Sequence, residues 1–356
     1  MMPVAVPCFQ GLVFTIIAVV PVGTVWGLVN HHGVFQVLVD VYKVLEIVIL
    51  FVFIRVTWRT RQQAEKALGA LFVTMCLFGL VELFLTERGG VGLNLMMSLL
   101  PMVYTMRFHK RIPYYAPVML LALAVLLLSK TRTYIFGMLV SLWMASVLGS
   151  GAYKKTMLQK NLIYGTLCVG AMFAYGALQR DNAFSEVFRR FQELFRNGIL
   201  QAGGYRMYEF RMALQKFLES PLIGKGLGYQ EYVHIELMGN FLWGDFMHNA
   251  YMEILCKVGL YGSGIYAVGV VLYLRKQRGL LRLSMENGWE GLSSILAGGL
   301  SATFGWMVVY AAAPLSSYGS VFLPGIVSLT YSALYMRERH TRLSGKLSDK
   351  EQNGCV

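Results

Sequence analysis

The stretch "NAYMEILCKVGLYGSGIYAVGVVLYL", residues 249–274, decides the fold. Its only charges are Glu253 and Lys257, and it exceeds the roughly 20 apolar residues that a helix needs to cross a bilayer. His248 stands directly before it. A lone histidine is usually a surface residue or a satisfied core residue, so what surrounds this doorway decides what His248 does there.

Working outward, apolar runs of spanning length recur along the whole chain, at residues 4–29, 34–56, 67–86, 90–106, 113–129, 133–152, 161–179, 249–274, 291–314 and 321–336. Hydrophobic residues make up 56% of the chain and charged residues 14%, and the mean hydropathy is +0.53. These values lie outside the soluble globular range. The expected fold class is an all-α polytopic membrane protein with about ten transmembrane helices and one long, partly helical outer loop. The fourth run contains Gly90 and Gly92 and has a thin apolar core, which leaves a re-entrant or tilted segment as the alternative there. The first run lacks a basic leader and a small-residue cleavage site, so it is expected to stay attached.

Orientation follows from lysine and arginine, which are retained on the cytoplasmic side. Arg55, Arg59, Arg61 and Lys66 fall in one loop, Arg107, Lys110 and Arg111 in the next on the same side, and Lys154, Lys155 and Lys160 in a third. Arg275, Lys276, Arg278 and Arg282 follow, then five more basic residues after Met336. Set against the acids of the same segments, this face carries the whole formal net charge of +13. The basic balance is thus a topology signal, and no nucleic-acid partner is expected. Both termini are placed in the cytoplasm. The chain divides into spans one to seven (1–179), an extracytoplasmic loop (180–247), spans eight to ten (248–336) and a basic cytoplasmic tail (337–356). The five cysteines show no paired spacing, so neither disulfides nor a metal site is expected.

The long loop is aromatic-rich and periodic, which predicts folded structure. "FSEVFRRFQELFR", residues 184–196, sets Phe188, Phe191, Leu194 and Phe195 on one helical face, as in a helix lying at the lipid interface or packed on the ends of the spans. "GGYRMYEFRMALQKFLESPLIGKGLGYQ", residues 203–230, gives a second amphipathic helix stopped at Ser220-Pro221, followed by a glycine-rich turn. Such a turn permits close backbone approach, and on its own is weak support for phosphate binding.

Charges inside or beside the spans are costly and call for a use. Arg132, in "LLLSKTRTYIF", lies at the outer join of spans five and six, where it either holds an anion or snorkels to headgroups. Asp40, Lys43 and Glu46 are spaced three apart along span two; a self-paired stripe is the favoured reading, and ion or proton coupling in a transporter the other. Glu82 and Lys257 are similarly open.

The order "SKTR", "GGYR", "PLIGKGLG", "HNAYMEILCKVGLYG" resembles the O-antigen ligase and surface-polysaccharide polymerase superfamily of bacterial membrane glycosyltransferases, over about residues 129–274. This sequence departs from the family pattern at Lys130, at Tyr205 between Gly204 and Arg206, and at Lys257. The resemblance implies a GT-C-like architecture in the bacterial inner membrane, with the active site on the outer face. It implies metal-independent, inverting transfer of a glycan from an undecaprenyl-pyrophosphate-linked oligosaccharide to a glycan or lipid-linked acceptor, with no cofactor. A flippase and a chain-length regulator are the implied protein partners, and membrane lipid surrounds the chain.

Within that reaction negative charge grows on the departing pyrophosphate, and Arg132 and Arg206 are the cations to meet it, supported by Arg211 or Lys130. His248 is the base for the acceptor hydroxyl, worth about 10²- to 10⁴-fold, and His234 is the alternative base. Asn249 caps the span beside it. Tyr205, Gly224, Lys225 and Gly226 complete the expected substrate-binding set. A polymerase, which joins carrier-bound repeat units, is favoured by the compact loop without an added acceptor domain. A ligase delivering finished glycan to lipid A core is the alternative, and a lipid or solute transporter or a cell-wall synthase are the readings from other classes.

Overall fold

The computed structural model describes residues 18–86, 91–106, 115–128, 132–149, 159, 204–235, 240–244, 249–311 and 318–353. Among the described residues six helices precede the long loop: α1 (Ala18–Val29), α2 (Val34–Thr57), α3 (Arg61–Thr86), α4 (Val91–Met106), α5 (Tyr115–Leu128) and α6 (Arg132–Leu148). Within the loop lie α7 (Gly204–Glu219) and a hairpin of β1 (Glu231–Ile235) and β2 (Asn240–Gly244). After it come α8 (Ala250–Glu286), α9 (Glu290–Tyr310) and α10 (Tyr318–Asn353).

The chain is a helical membrane protein. Among the described residues three helices are long and apolar enough to cross a membrane, Arg61–Leu85, Ala250–Glu286 and Glu290–Tyr310. The expected seventh span, 161–179, and the amphipathic 184–196 segment lie outside the described residues. α2 has 24 residues, about 36 Å of helix, but carries Asp40, Lys43 and Glu46 within an otherwise apolar face. Large apolar side chains such as Phe35, Phe53, Phe84 and Leu85 are exposed on α2 and α3, as suits a lipid-facing wall.

α9 is the hub. It packs on α4, α6, α8 and α10, and its small residues let backbones approach closely. A Cβ at Gly298 would sit 2.5 Å from the Met102 Cα and 2.8 Å from the Pro101 carbonyl oxygen. α4 is a continuous helix buried along its length, and its thin apolar character now has a reason: its polar groups face protein. Ser98 accepts a 2.8 Å hydrogen bond from the Trp306 indole of α9, and Asn94 and Thr105 are likewise buried. Between α8 and α10, the buried Gln277 amide donates to Tyr273 Oη and to Ser328 Oγ, each at 3.0 Å.

Three sequence expectations change. Residues 275–286, expected as a cytoplasmic loop, continue α8, and much of the expected tail continues α10 to Asn353. Amphipathic helix can leave the bilayer without breaking, so the end of an apolar run does not mark the end of a helix. The hairpin, with His234 opposite Phe241, puts a strand pair into the loop that was expected to be partly helical within an all-α fold.

Gly298→Ala is expected to cost about 1–3 kcal/mol through overpacking against α4. Gly291→Ala, whose Cβ meets nothing nearer than Tyr331 Oη at 4.0 Å, should be neutral or stabilising. Thermal unfolding of both variants in detergent checks the contrast.

Candidate active site

The glycine-rich element is built around a break in α8. At Gly259 the backbone leaves helical geometry, with φ 61° and ψ −167°. In an unbroken helix the amides of Leu260 and Tyr261 would donate to the carbonyls of Cys256 and Lys257. Here Leu260 N–H donates instead to the Pro221 carbonyl (2.8 Å) and Tyr261 N–H to the Leu222 carbonyl (3.0 Å). The two carbonyls left over accept from Lys225 N–H and Gly226 N–H, both at 2.8 Å. The loop thus supplies partners for four backbone groups, each of which would cost about 1–3 kcal/mol if buried unpaired.

Glycine is required on both sides of this exchange. Gly259 has a positive φ, and a Cβ there would collide with the Leu222 carbonyl oxygen. Gly226, at φ 98°, would place a Cβ 2.5 Å from the Gly27 Cα of α1. The α1–α2 end closes the other side of the loop. Trp26 Nε1 donates to the Gly224 carbonyl (3.0 Å), Leu227 N–H donates to the Gly23 carbonyl (2.9 Å), and Asn30 Nδ2 donates to the Lys225 carbonyl (3.1 Å). His32 Nε2 meets that same carbonyl at 2.8 Å. Lys225 extends its ammonium to Glu219 at 2.7 Å. That bond, then the one from Lys216, holds the Glu219 carboxyl below its usual range.

Beneath the loop lies a buried ionic cluster. Lys257 Nζ is 2.9 Å from Asp40 Oδ1 and 2.9 Å from Glu253 Oε1. Lys43 stands 3.6 Å from Asp40 and 4.0 Å from Glu253. The second Asp40 oxygen accepts Gly228 N–H at 2.7 Å. Two carboxylates and two ammonium groups meet here, and Asp40, Glu253 and Lys257 line a cleft with a free volume of about 20 Å³, room for about one water. The stripe on α2 does pair along its own helix through Asp40 and Lys43, but Asp40 also makes a shorter ion pair across to α8. Lys257, a departure from the family pattern, is the partner that sequence reading left open.

Helix registers place the other site residues. α7 and α8 run side by side in the same direction: Cys256 Sγ donates to the Ala213 carbonyl at 3.0 Å, and Pro221 and Leu222 further on meet Leu260 and Tyr261. Arg206 is as far before Ala213 as Asn249 is before Cys256, about 10 Å of helix in each case. The Arg206 backbone therefore lies on the Asn249 side of that contact, and Tyr205 adjoins it. Arg211, one turn further down α7, is exposed.

Asn249 caps α8, its Oδ1 accepting from Tyr251 N–H and Met252 N–H, both at 3.1 Å. Its Nδ2 donates to the Ala311 carbonyl at the end of α9 (3.2 Å), and Tyr251 Oη donates to the Met307 carbonyl (2.7 Å). α6 runs antiparallel to α9, with Ser141 and Gly137 beside Gly305 and Gly137 beside Val309. Arg132, the first residue of α6, is therefore at the level where α9 ends. The backbones of Arg132, Arg206 and Asn249 thus come to one end of the bundle. His248 immediately precedes the cap, and His248 and Lys130 lie outside the described residues.

Gly224, Lys225 and Gly226, expected at the substrate, stand apart from that end. The amides of Lys225 and Gly226 are engaged by α8, and that of Gly224 donates to the Ser220 carbonyl at 2.9 Å. Sequence reading missed Asp40, Glu253 and Lys257 as one cluster. Their signal was present as unexplained charges in two spans, but nothing linear joins residue 40 to residue 257.

Residues 117–267 match the family model described as O-antigen ligase. No curated protein matches the chain.

Gly259→Ala should strain the break and free the loop. Hydrogen exchange at the Lys225 and Gly226 amides is expected to accelerate about tenfold or more, since losing roughly 1.4 kcal/mol of protection gives that factor; unchanged protection would contradict the exchange of partners.

Proposed function

We propose, from the premise that the chain belongs to the O-antigen ligase and surface-polysaccharide polymerase superfamily of membrane glycosyltransferases, that it moves a glycan from an undecaprenyl-pyrophosphate carrier to an acceptor hydroxyl on the outer face of the bacterial cytoplasmic membrane. The reading is supported by one feature, the side of the bundle to which the helix registers assign the starts of α6, α7 and α8. That end gathers two arginine-bearing helix starts and the capped start that follows His248.

The acceptor oxygen attacks the anomeric carbon from the face opposite the leaving group. The new C–O bond forms as the bond to the pyrophosphate oxygen breaks, which inverts the anomeric centre, and the carrier departs with the electron pair. His248 takes the hydroxyl proton. Arg132 and Arg206 hold the pyrophosphate oxygens as charge accumulates, with Arg211 or Lys130 in support, and a guanidinium does this in bidentate fashion without losing its charge. The start of α8, with its amide groups and positive dipole end, favours a neutral imidazole at His248. No step is assigned to a metal. The acceptor is a second carrier-bound repeat unit, which makes the chain a polymerase working beside a flippase and a chain-length regulator; transfer to lipid A core is the ligase alternative.

The glycine-rich turn enters as the part that holds α7 on α8. Asp40 and Lys43 of α2 enter as members of an ionic cluster with α8, which gives them a use other than solute passage.

Purified protein in lipid, given one carrier-linked repeat unit and no other acceptor, should produce a ladder of lengthening glycans. His248→Ala and Arg206→Ala should each reduce turnover by about 10²-fold or more, and Arg132→Lys should lose a comparable share because the fork is gone. No ladder, but transfer once lipid A core is supplied, identifies a ligase. No transfer to any acceptor overturns the reading.

A further inference from the structure

We propose that Asp40 is a positioning residue for glycan transfer, acting through the glycine-rich loop on the register of α7 against α8. The inference rests on the function proposed above and concerns a residue outside the matched segment 117–267. Asp40 is 5% exposed and uses its two oxygens for two different tasks. Oδ1 faces Lys257 of α8 at 2.9 Å and Lys43 of its own helix at 3.6 Å. Oδ2 accepts the Gly228 amide at 2.7 Å.

Gly228 closes the segment that begins at Pro221. Between them the loop makes its four backbone bonds to the broken turn of α8, and Ser220, at the end of α7, accepts Gly224 N–H through its carbonyl and donates its hydroxyl to the Gly224 carbonyl at 2.8 Å. α7 is thus joined to a loop whose last residue, Gly228, is held by an Asp40 carboxylate oxygen, next to the Leu227 N–H bond to the Gly23 carbonyl. The same carboxylate binds the lysine that belongs to the broken turn. Asp40 therefore ties both partners of the exchange to α2, and a shift of either moves the Arg206 backbone relative to Asn249. A positional error of about 1 Å at a transfer site can cost up to about a hundredfold in rate.

Two double variants isolate the anchor from the charge. Asp40→Asn with Lys257→Met removes one charge of each sign and leaves a carboxamide oxygen for Gly228 N–H; Asp40→Ala with Lys257→Met has the same charge balance and no acceptor. Each is made with Ala213→Cys, which sets a thiol beside Cys256, and disulfide formation between those two positions on mild oxidation reads the α7–α8 register whatever the chain catalyses. The transfer assay is run without the added cysteine.

The expected result is near-native cross-linking and turnover for the asparagine pair. The alanine pair should lose most of the cross-link and about ten- to a hundredfold in kcat, with KM for the carrier-linked donor within about threefold. Equal behaviour of the two, at any level, overturns the proposal, as does a lost cross-link with unchanged turnover. If neither double variant reaches the membrane, Asp40→Asn and Asp40→Ala on the native Lys257 are compared by the same two readouts and the same criteria. A wild-type chain that cross-links but transfers nothing refutes the proposed function and, with it, the catalytic half of this proposal, while the cross-link still decides whether Asp40 anchors the loop.

Discussion

A backbone amide or carbonyl withdrawn from water must find a partner, and in a membrane protein that demand leaves almost no freedom outside helices and closed barrels. The break at Gly259 puts two amides and two carbonyls at risk in one turn of α8. The loop Pro221–Gly228 answers all four. A segment between two helices is thereby made part of the helix framework, and α7 inherits a fixed place. Without the break the loop would lose its four bonds to α8; without the loop the break would be prohibitively costly.

Charge reinforces what the backbone begins. Lys257 belongs to the turn whose carbonyls accept from the loop amides, and its ammonium is held by carboxylates from α2 and from its own helix. Removing one partner of such a buried cluster typically costs about 3–5 kcal/mol, because the remaining charge has no solvent. The cluster is therefore sensitive to every one of its members. On the other side of α8, Asn249 and Tyr251 bond the end of α9, which ties the mouth of α8 to the hub of the bundle. Two unrelated sets of contacts hold the same ten residues of α8, one at the cap and one at the break.

Much of this was readable in the sequence. Apolar run length gave the membrane class and nearly every helix that the structure describes, and Asn249 before Ala250 gave the cap. The amphipathic pattern and Ser220-Pro221 gave α7 and its end. The glycine-rich turn was legible as a place of close approach, but whether it approached a phosphate or another backbone depends on a partner that lies far along the chain. The same holds for Asp40 and Lys257, which are separated by most of the sequence and brought together only by packing. Helix continuation past Leu274 and Met336 was hidden because hydropathy reports the bilayer, while hydrogen bonding continues beyond it. The glycines and polar groups of α4 left a re-entrant or tilted segment open beside a span, and the structure shows a helix whose described side chains are almost all buried.

The chemistry depends on a single spatial claim, that the carrier's pyrophosphate binds where α6, α7 and α8 begin. The most direct measurement is photo-cross-linking with a polyprenyl pyrophosphate carrying a photoreactive group next to the phosphates, followed by peptide mapping. Labels in the segments around Arg132, Arg206 and His248, competed away by unlabelled carrier, are the expected result. Labels confined to the opposite end of the bundle, near Trp289 and Arg339, would contradict it.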